Sequence, residues 1–323
     1  MPIVPSTYRA PLGFANGHVQ TVWPALVRRV APLPMRRERM ELPDGDFVDL
    51  DIAENTRDDA RGVAILSHGL EGHSQKPYIQ GMARALTRRG WDVVAWNFRG
   101  CSGEPNRLLR SYHSGETGDL GAVVAHVLTA CRPERLALIG FSLGGNVTLK
   151  YLGELGTSAP PPLWRAVAVS VPCDLASSAA HLARRENALY MRRFLRTMVG
   201  KAREKHGRFP DAPGLAGAEL MRTFAEFDER FTAPIHGFAG AHDYWSRCSS
   251  RPFLPRIRIP TLIVNARNDP FLAPQCFPVA EAEANPAVHL EMPASGGHVG
   301  FVTFGHDGEY WSETRAAEFL DGA

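Results

Sequence analysis

Short apolar runs alternate with longer amphipathic stretches along most of this chain. Each run is four to six residues long, and such runs are typical of strands buried on both faces of a sheet. The runs are Val63–Leu66, Val93–Trp96, Leu136–Ile139, Ala166–Val171, Thr261–Val264 and His289–Met292. Apolar positions at helical spacing predict helices over residues 76–89, 117–131, 146–154 and about 308–320. This alternation predicts an α/β fold with a mostly parallel, doubly wound sheet.

The N-terminal part of the chain follows a different pattern. Residues 36–53 alternate apolar and polar positions around Pro43, Asp44, Gly45 and Asp46, which predicts a hairpin. The sheet should therefore begin with antiparallel strands. Residues 1–35 are rich in proline and lack a clear period, so we expect an irregular arm packed on the body.

A long segment without the strand rhythm separates two of the predicted strands. Residues 173–250 hold a basic, helix-prone stretch and a second helical segment near residues 219–229. We interpret this segment as a helical cap inserted into an α/β core that comprises residues 1–172 and 251–323. Its Arg and Lys residues suit a solvated helix face better than a membrane or an acidic ligand, although peripheral membrane contact stays open.

Composition removes several classes of function. The chain has 323 residues, is 44% hydrophobic and carries a formal net charge of +2, which offers no argument for nucleic acid. Its five cysteines are scattered without CxxC spacing, so we expect reduced thiols and neither a metal nor a cofactor. The N-terminus lacks a secretory pattern, and no apolar run approaches the roughly 20 residues of a membrane helix. These observations predict a cytoplasmic protein of unknown oligomeric state.

The most informative motif lies where the third apolar run ends. Ser142 is the centre of a G-x-S-x-G pattern between a predicted strand and a predicted helix, which is the context of a nucleophile elbow. A turn this sharp leaves no room for side chains two residues to either side, which explains Gly140 and Gly144. The pentapeptide alone is a weak signal, because a serine also needs a histidine base and an acid that orients it.

Candidates for both partners follow later strands. His298 lies in a Gly-rich loop after the last predicted strand, and His306 is a nearby competitor beyond that loop. Asp269 follows the strand at 261–264, and Asp174 is its rival after an earlier strand. We favour Ser142, Asp269 and His298 as the catalytic triad, because this is the chain order of α/β-hydrolases.

An oxyanion hole needs two backbone amides. The residue after the nucleophile, Leu143, should supply one of them. The loop after the strand at 63–66 should supply the other, and we assign it to Leu70. In that loop His68 is better suited to organising hydrogen bonds than to acting as a base.

These segments resemble the YheT-like α/β-hydrolases, a family that includes ABHD-type esterases and yeast medium-chain ethyl ester synthase/esterases. The resemblance covers nearly the whole chain and is most specific between residues 97 and 117. The matching segments are 16–21, 67–72, 97–103, 112–117, 232–238, 267–271 and 296–301. The resemblance implies an α/β-hydrolase fold and serine-dependent hydrolysis of short- to medium-chain acyl esters. It also implies, in some members, acyl transfer to an alcohol.

Three hypotheses about function follow. The first is a carboxylic ester hydrolase that acts on a small-molecule acyl ester through an acyl-enzyme. The second is an alcohol acyltransferase, which shares the first half-reaction and cannot be separated from the hydrolase by sequence. The third is a non-catalytic binding protein on the same fold, and the intact Ser, Asp and His set argues against it. A peptidase or an epoxide hydrolase is a weaker alternative, since epoxide hydrolases of this fold have aspartate at position 142.

Overall fold

The computed structural model describes residues 2–55, 57, 60–212, 217–305 and 308–322. These residues contain nine strands that form one sheet. The strands are β1 (Ile3–Val4), β2 (Arg36–Glu41), β3 (Phe47–Ala53), β4 (Gly62–Ser67), β5 (Trp91–Asn97), β6 (Leu136–Phe141), β7 (Leu163–Val169), β8 (Thr261–Val264) and β9 (Val288–Glu291). Across the sheet their order is β1-β9-β8-β7-β6-β4-β5-β3-β2.

The sheet is parallel from β1 across to β5 and antiparallel at its other edge. There β3 pairs in antiparallel fashion with both β5 and β2, which confirms the predicted hairpin and the antiparallel start. Strand β8 has the predicted bounds, and the other predicted strands lie within three residues of theirs. The predicted mostly parallel, doubly wound sheet is therefore confirmed.

Helices pack on both faces of this sheet. The described α-helices are α1 (Gly17–Leu26), α2 (Pro77–Thr87), α3 (Thr117–Ala130), α4 (Leu143–Leu155), α5 (Leu175–Leu182), α6 (Ala188–Arg208), α7 (Phe224–Phe227), α8 (Ala233–His236), α9 (Ala241–Cys248), α10 (Val279–Ala284) and α11 (Trp311–Asp321). Short 3₁₀ turns occur at Gly156–Ser158, Arg185–Asn187, Ala218–Leu220, Arg251–Arg256 and Pro274–Cys276, and a π-helical turn at Asp228–Thr232. Helix α4 begins directly after Ser142, three residues before the predicted start.

Alternating strand residues fill two apolar layers. Ile65 and Leu138 pack with residues of α3 and α4 on one face, whereas Leu66 and Ile139 pack with residues of α2 and α11 on the other. All four of these side chains are almost completely buried. Because helices cover both faces, the carboxyl ends of the parallel strands form the edge where loops can build a site.

The expectation of an irregular N-terminal arm was wrong in two places. Residues 3 and 4 form β1, which pairs in parallel with β9 and extends the sheet, and residues 17–26 form α1. Asn16 begins this helix, because its side chain accepts hydrogen bonds from the amides of His18 and Val19. The pattern hid the helix because its apolar positions face outward and a proline, Pro24, lies within it.

In the described part of residues 173–250, helices and short 3₁₀ or π-helical turns alternate with short connections, and no strand is present. The basic stretch predicted as one helix-prone segment is divided, since α5 ends at Leu182 and α6 begins at Ala188. Apolar side chains of α5, α6 and α7 form a separate cluster that also includes Phe271 from the loop after β8. This cluster lies over the carboxyl edge of the sheet.

Candidate active site

Ser142 occupies a strained turn between β6 and α4. Its φ of 53° and ψ of −119° lie in a region that non-glycine residues rarely adopt. A Cβ atom at Gly140 would lie 2.4 Å from the carbonyl oxygen of Gly144. One at Gly144 would lie 2.4 Å from that of Ser67. The flanking glycines of the motif are thus needed for the close approach of backbones that holds the serine in place.

The three residues predicted as a triad lie within hydrogen-bond distance of one another. Nε2 of His298 is 2.9 Å from Oγ of Ser142. Nδ1 of His298 is 2.9 Å from Oδ2 and 3.1 Å from Oδ1 of Asp269. Asp269 is buried, and its Oδ1 also accepts a hydrogen bond from the amide of Phe271. The ring of Phe271 packs on the imidazole at a centroid distance of 4.1 Å, which restricts its tilt.

The two rival residues have different positions. Asp174 is the N-cap of α5, where its Oδ1 accepts a hydrogen bond of 2.8 Å from the amide of Ser177. The carboxylate of Asp174 therefore caps a helix, whereas that of Asp269 contacts His298. The other rival, His306, lies outside the described residues.

The loop after β4 packs directly against the nucleophile. Gly69 lies so close to Ser142 that a Cβ atom added at Gly69 would be 3.2 Å from the Cβ of the serine. The amide of Gly69 donates to Tyr78, that of Glu71 to Tyr112, and that of Gly72 to the carbonyl of Gly69.

In the described part of the chain, two backbone N–H groups near Ser142 are free to donate hydrogen bonds to a ligand. Among the described residues, the Leu70 N–H has no hydrogen-bond partner. Leu143 is the first residue of α4, so its N–H has no acceptor within the helix. These are the two positions predicted for the oxyanion hole.

His68 organises the same loop, as its position in the sequence predicted. Its Nδ1 lies 2.7 Å from the carbonyl oxygen of Gly69, and its Nε2 accepts a hydrogen bond of 3.1 Å from the amide of Phe98. Burial lowers the pKa of this histidine to about 3, so it stays neutral. A neutral imidazole bonded at both nitrogens fixes the loop that carries Leu70.

Helix α1 and Ala15, which precedes it, hold the loops that carry Asp269 and His298, a role that sequence reasoning did not assign. Oγ1 of Thr21 accepts a hydrogen bond of 2.9 Å from the amide of His298. Asn268 donates from its side chain to the carbonyl of Ala15 and accepts from the amide of Gly297. The only earlier sign was the resemblance of residues 16–21 to a family motif.

Close packing reinforces these hydrogen bonds. A Cβ atom at Gly17 would lie 1.9 Å from the carbonyl oxygen of Asn268, and one at Gly300 would lie 2.3 Å from that of Gln20. Oε1 of Gln20 accepts hydrogen bonds from Tyr8 and from the amide of Val302. The first helix and the His298 loop therefore form one rigid unit.

Two cavities meet at Ser142 and His298. The first lies beneath α5–α9 and has a mostly apolar lining. Its apolar residues are Leu70, Leu143, Pro172, Leu175, Ala179, Leu182, Phe194, Met198, Phe224, Phe227, Phe231, Trp245 and Phe271. The second is a groove between α1 and α6 that reaches the same serine. An apolar chain can occupy the first cavity while the rest of a molecule extends along the groove.

Several polar groups interrupt the apolar lining. Nζ of Lys201 on α6 lies 3.0 Å from Oε1 of Glu71, which also accepts a hydrogen bond of 2.6 Å from Tyr112. Burial raises the pKa of Asp228 to about 6 despite hydrogen bonds from Thr232 and Trp245. The first of these groups links α6 to the loop that carries Leu70.

Within the described ranges, no group of three or more His, Cys, Asp or Glu residues could hold a metal ion. The five cysteines are free thiols. In the same part of the chain, no helix combines the length and the apolar character needed to cross a membrane.

Comparison with known proteins identifies the family. A family model described as alpha/beta hydrolase fold matches residues 63–304. The chain therefore belongs to the α/β-hydrolases, as the order of its motifs predicted.

Within this family the chain is a member of the YheT-like group. It is 39% identical to the candidate esterase YheT of Escherichia coli (strain K12) over 95% of this chain and 91% of YheT. It is 30% identical to the Mus musculus protein named phospholipase ABHD3 over 93% of this chain and 74% of that protein. The resemblance identified from the sequence motifs is thus confirmed.

A solved structure agrees on the fold. The esterase Pf2001 of Pyrococcus furiosus superposes with a TM-score of 0.60 and covers 97% of this chain and 99% of its own. The two sequences are 17% identical, so this likeness supports the α/β-hydrolase fold alone.

Proposed function

We propose that this protein is a serine-dependent carboxylic ester hydrolase with Ser142, His298 and Asp269 as its catalytic residues. The observation that carries the proposal is the unbroken line of hydrogen bonds from Asp269 through His298 to Oγ of Ser142. This line lies beside a mostly apolar cavity. Relatives named as an esterase and a phospholipase support ester bonds as the target.

Each group has a defined role in this reaction. His298 removes the proton of Ser142 as Oγ attacks the ester carbonyl, and the imidazolium then gives that proton to the leaving alcohol. Asp269 fixes the imidazole with Nδ1–H directed at the carboxylate and stabilises its positive charge. The amides of Leu70 and Leu143 stabilise the oxyanion. Water, deprotonated by His298, then releases the acid from the acyl-enzyme.

The substrate range follows from the shape and lining of the site. We assign short- to medium-chain acyl groups to the apolar cavity, and the alcohol part of the ester to the groove between α1 and α6. In this assignment residues 173–250 act as a cap, because their side chains supply much of the cavity lining. Residues 1–172 and 251–323 then form the catalytic core.

Replacement of the nucleophile tests this proposal. Ser142→Ala should abolish turnover of p-nitrophenyl butyrate and labelling by a fluorophosphonate, while thermal unfolding stays close to that of the unchanged protein. Ser114→Ala is a matched control, since Ser114 lines the same cavity and should leave the labelling intact. Undiminished turnover by Ser142→Ala would remove the assignment. Failure of every ester and of the probe with the unchanged protein would favour a binding protein.

A panel of acyl esters and an added alcohol test the finer points. Turnover should be highest with short to medium acyl chains and should fall with long ones. Acyl transfer shares the acyl-enzyme with hydrolysis, so products should also be analysed in the presence of ethanol. Ethyl ester that increases with ethanol at the expense of free acid would identify a transferase instead.

A further inference from the structure

Helix α1 directs its apolar side chains away from the protein. Val19, Val22, Trp23 and Leu26 follow helical spacing, and between 38% and 72% of each is exposed. The buried residues of the same helix are Gly17 and Gln20. This is the reverse of the usual arrangement, in which a helix on the surface of a globular protein buries its apolar stripe.

Neighbouring residues enlarge the exposed stripe into a patch. The ring of Phe14 lies 5.4 Å from that of Trp23 and 5.2 Å from that of Phe304. Phe304 is 65% exposed, and Val27 continues the patch beyond the end of α1. Contiguous exposed apolar patches often mark interaction sites, whereas apolar residues that are exposed singly are common and need no explanation.

Unpaired cations lie next to this patch. The groove that reaches Ser142 is lined on one side by residues of α1, including Val22, and on the other by Arg193 and Arg196 of α6. Lys76 also lines it, and burial together with the positive charge of Arg193 lowers the pKa of this lysine. Among the described residues these three cations have no ion-pair partner.

We propose that the exposed face of α1 and these cations form a docking surface for an anionic lipid bilayer. An apolar stripe with aromatic residues, flanked by Arg and Lys, matches the chemistry of helices that lie in the headgroup region. A nucleic acid would pair with the cations but not with the apolar stripe. Docking on this face brings the groove that leads to Ser142 to the membrane surface.

A second copy of the chain fits this surface less well. A two-fold contact would press the same patch against itself, so Arg193 and Arg196 would approach their own copies. The acidic residue of the groove, Glu71, is already bonded to Lys201 and Tyr112 and offers no charge to neutralise them. Lipid phosphates supply the missing negative charge.

Co-sedimentation with vesicles tests the proposal in the Ser142→Ala background, so that no ester is consumed. Phosphatidylcholine vesicles that contain phosphatidylglycerol should bind the protein at least tenfold more tightly than pure phosphatidylcholine vesicles, and added salt should weaken the binding. The result is independent of whether the protein hydrolyses esters. Absence of binding to the anionic vesicles would overturn the proposal.

Matched variants locate the docking face. Leu26→Ser should weaken vesicle binding about tenfold. Leu220→Ser is its control, because Leu220 lies outside the docking surface but is similarly exposed (64%, against 72% for Leu26), and this change should leave binding unaltered. The double change Arg193→Glu and Arg196→Glu should abolish most binding. The control double change Arg256→Glu and Arg258→Glu alters the net charge equally and should have little effect on vesicle binding. Equal losses in the test and control variants would overturn the proposal.

The fluorescence of Trp23 gives a readout of insertion. Brominated phosphatidylglycerol should quench part of the tryptophan emission of the unchanged protein, and Trp23→Phe should remove that part. Sedimentation velocity without vesicles provides the opposing test. A dimer that Leu26→Ser dissociates, combined with no vesicle binding, would assign the face to a second copy instead.

Discussion

Three glycines around Ser142 have no space for a side chain. Gly144 approaches two carbonyl groups of the β4 strand end, Gly140 approaches Gly144 itself, and Gly145 faces Val171. The obstructing atoms at Gly140 and Gly144 belong to the backbone, which cannot move aside as the end of a flexible side chain can, whereas the nearest atom at Gly145 is a side-chain methyl carbon of Val171. At the scale of single residues, the geometry of the site therefore depends on these glycines as much as on Ser142, Asp269 and His298.

A pair of glycine substitutions tests this view. In Gly144→Ala, the new methyl group would lie 2.4 Å and 2.5 Å from the carbonyl oxygens of Ser67 and His68. We expect a loss of about 3 kcal/mol or more in the free energy of unfolding. Gly200→Ala places a methyl group in open space on α6 and should stabilise the protein by about 0.5–1 kcal/mol. Urea unfolding of both variants measures the difference, and similar values for the two would contradict it.

The sequence predicted that Ser142, Asp269 and His298 come together, because the proposed chemistry follows chain order. Ser142 comes directly after β6, and Asp269 and His298 lie in the loops that follow β8 and β9. Parallel strands bring such positions to one edge. Thr21 could not be predicted in the same way. Its hydroxyl acts on a backbone amide nearly 280 residues away, and no local pattern identifies such a contact.

At the scale of elements, α1 holds the loop that carries His298, the proposed base. Its polar and small residues contact the loops of Asp269 and His298, while its apolar residues point outward. This division of faces explains why hydrophobic patterning missed the helix. The strands and helices of the core were predictable, since their apolar positions are also their buried positions.

Loss of one hydroxyl on α1 should weaken catalysis without unfolding the protein. Thr21→Val removes the acceptor of the His298 amide hydrogen bond and keeps the side-chain shape. We expect kcat for p-nitrophenyl butyrate to fall about fivefold, because one hydrogen bond is worth about 1 kcal/mol, with KM little changed.

Two further variants distinguish positioning from general destabilisation. Thr21→Ser retains the hydroxyl and should restore most of kcat. Thr129→Val removes a hydroxyl that bonds within its own helix, to the carbonyl of Ala125, and should leave kcat unchanged. A parallel loss of kcat in Thr129→Val, or no rescue by serine, would refute the positioning role of Thr21.

At the scale of the whole molecule, the helices of residues 173–250 are joined to the rest of the protein by polar contacts close to Ser142. The ion pair between Lys201 and Glu71 connects α6 to the residue that follows Leu70. The side chain of Glu71 is almost fully buried, whereas that of Lys201 is one-third exposed. Sequence patterns could not predict this pair, because its members lie on segments with unrelated periodicity.

A double-mutant cycle measures how strongly the two parts are coupled. Glu71→Gln and Lys201→Met, made singly and together, should give a coupling of about 1 kcal/mol in the free energy of unfolding, after allowance for the exposure of Lys201. Arg203, also on α6, and Glu219 of the 3₁₀ turn at Ala218–Leu220 form a matched control. Their charged atoms are 3.8 Å apart and largely exposed, so their coupling should be much smaller. Equal coupling in both pairs would contradict the prediction.

Strand β1 has a consequence for the order of assembly. Ile3 pairs with Leu290, so the earlier strand finds its neighbour only after all the segments between the two have been made. The contacts of α1 with the His298 loop are subject to the same delay. A nascent chain can therefore form the central strands and the Ser142 turn while it still lacks the His298 loop and the contacts of that loop with α1. The proposed triad is therefore completed only after the segment that carries His298 has been made and has met α1.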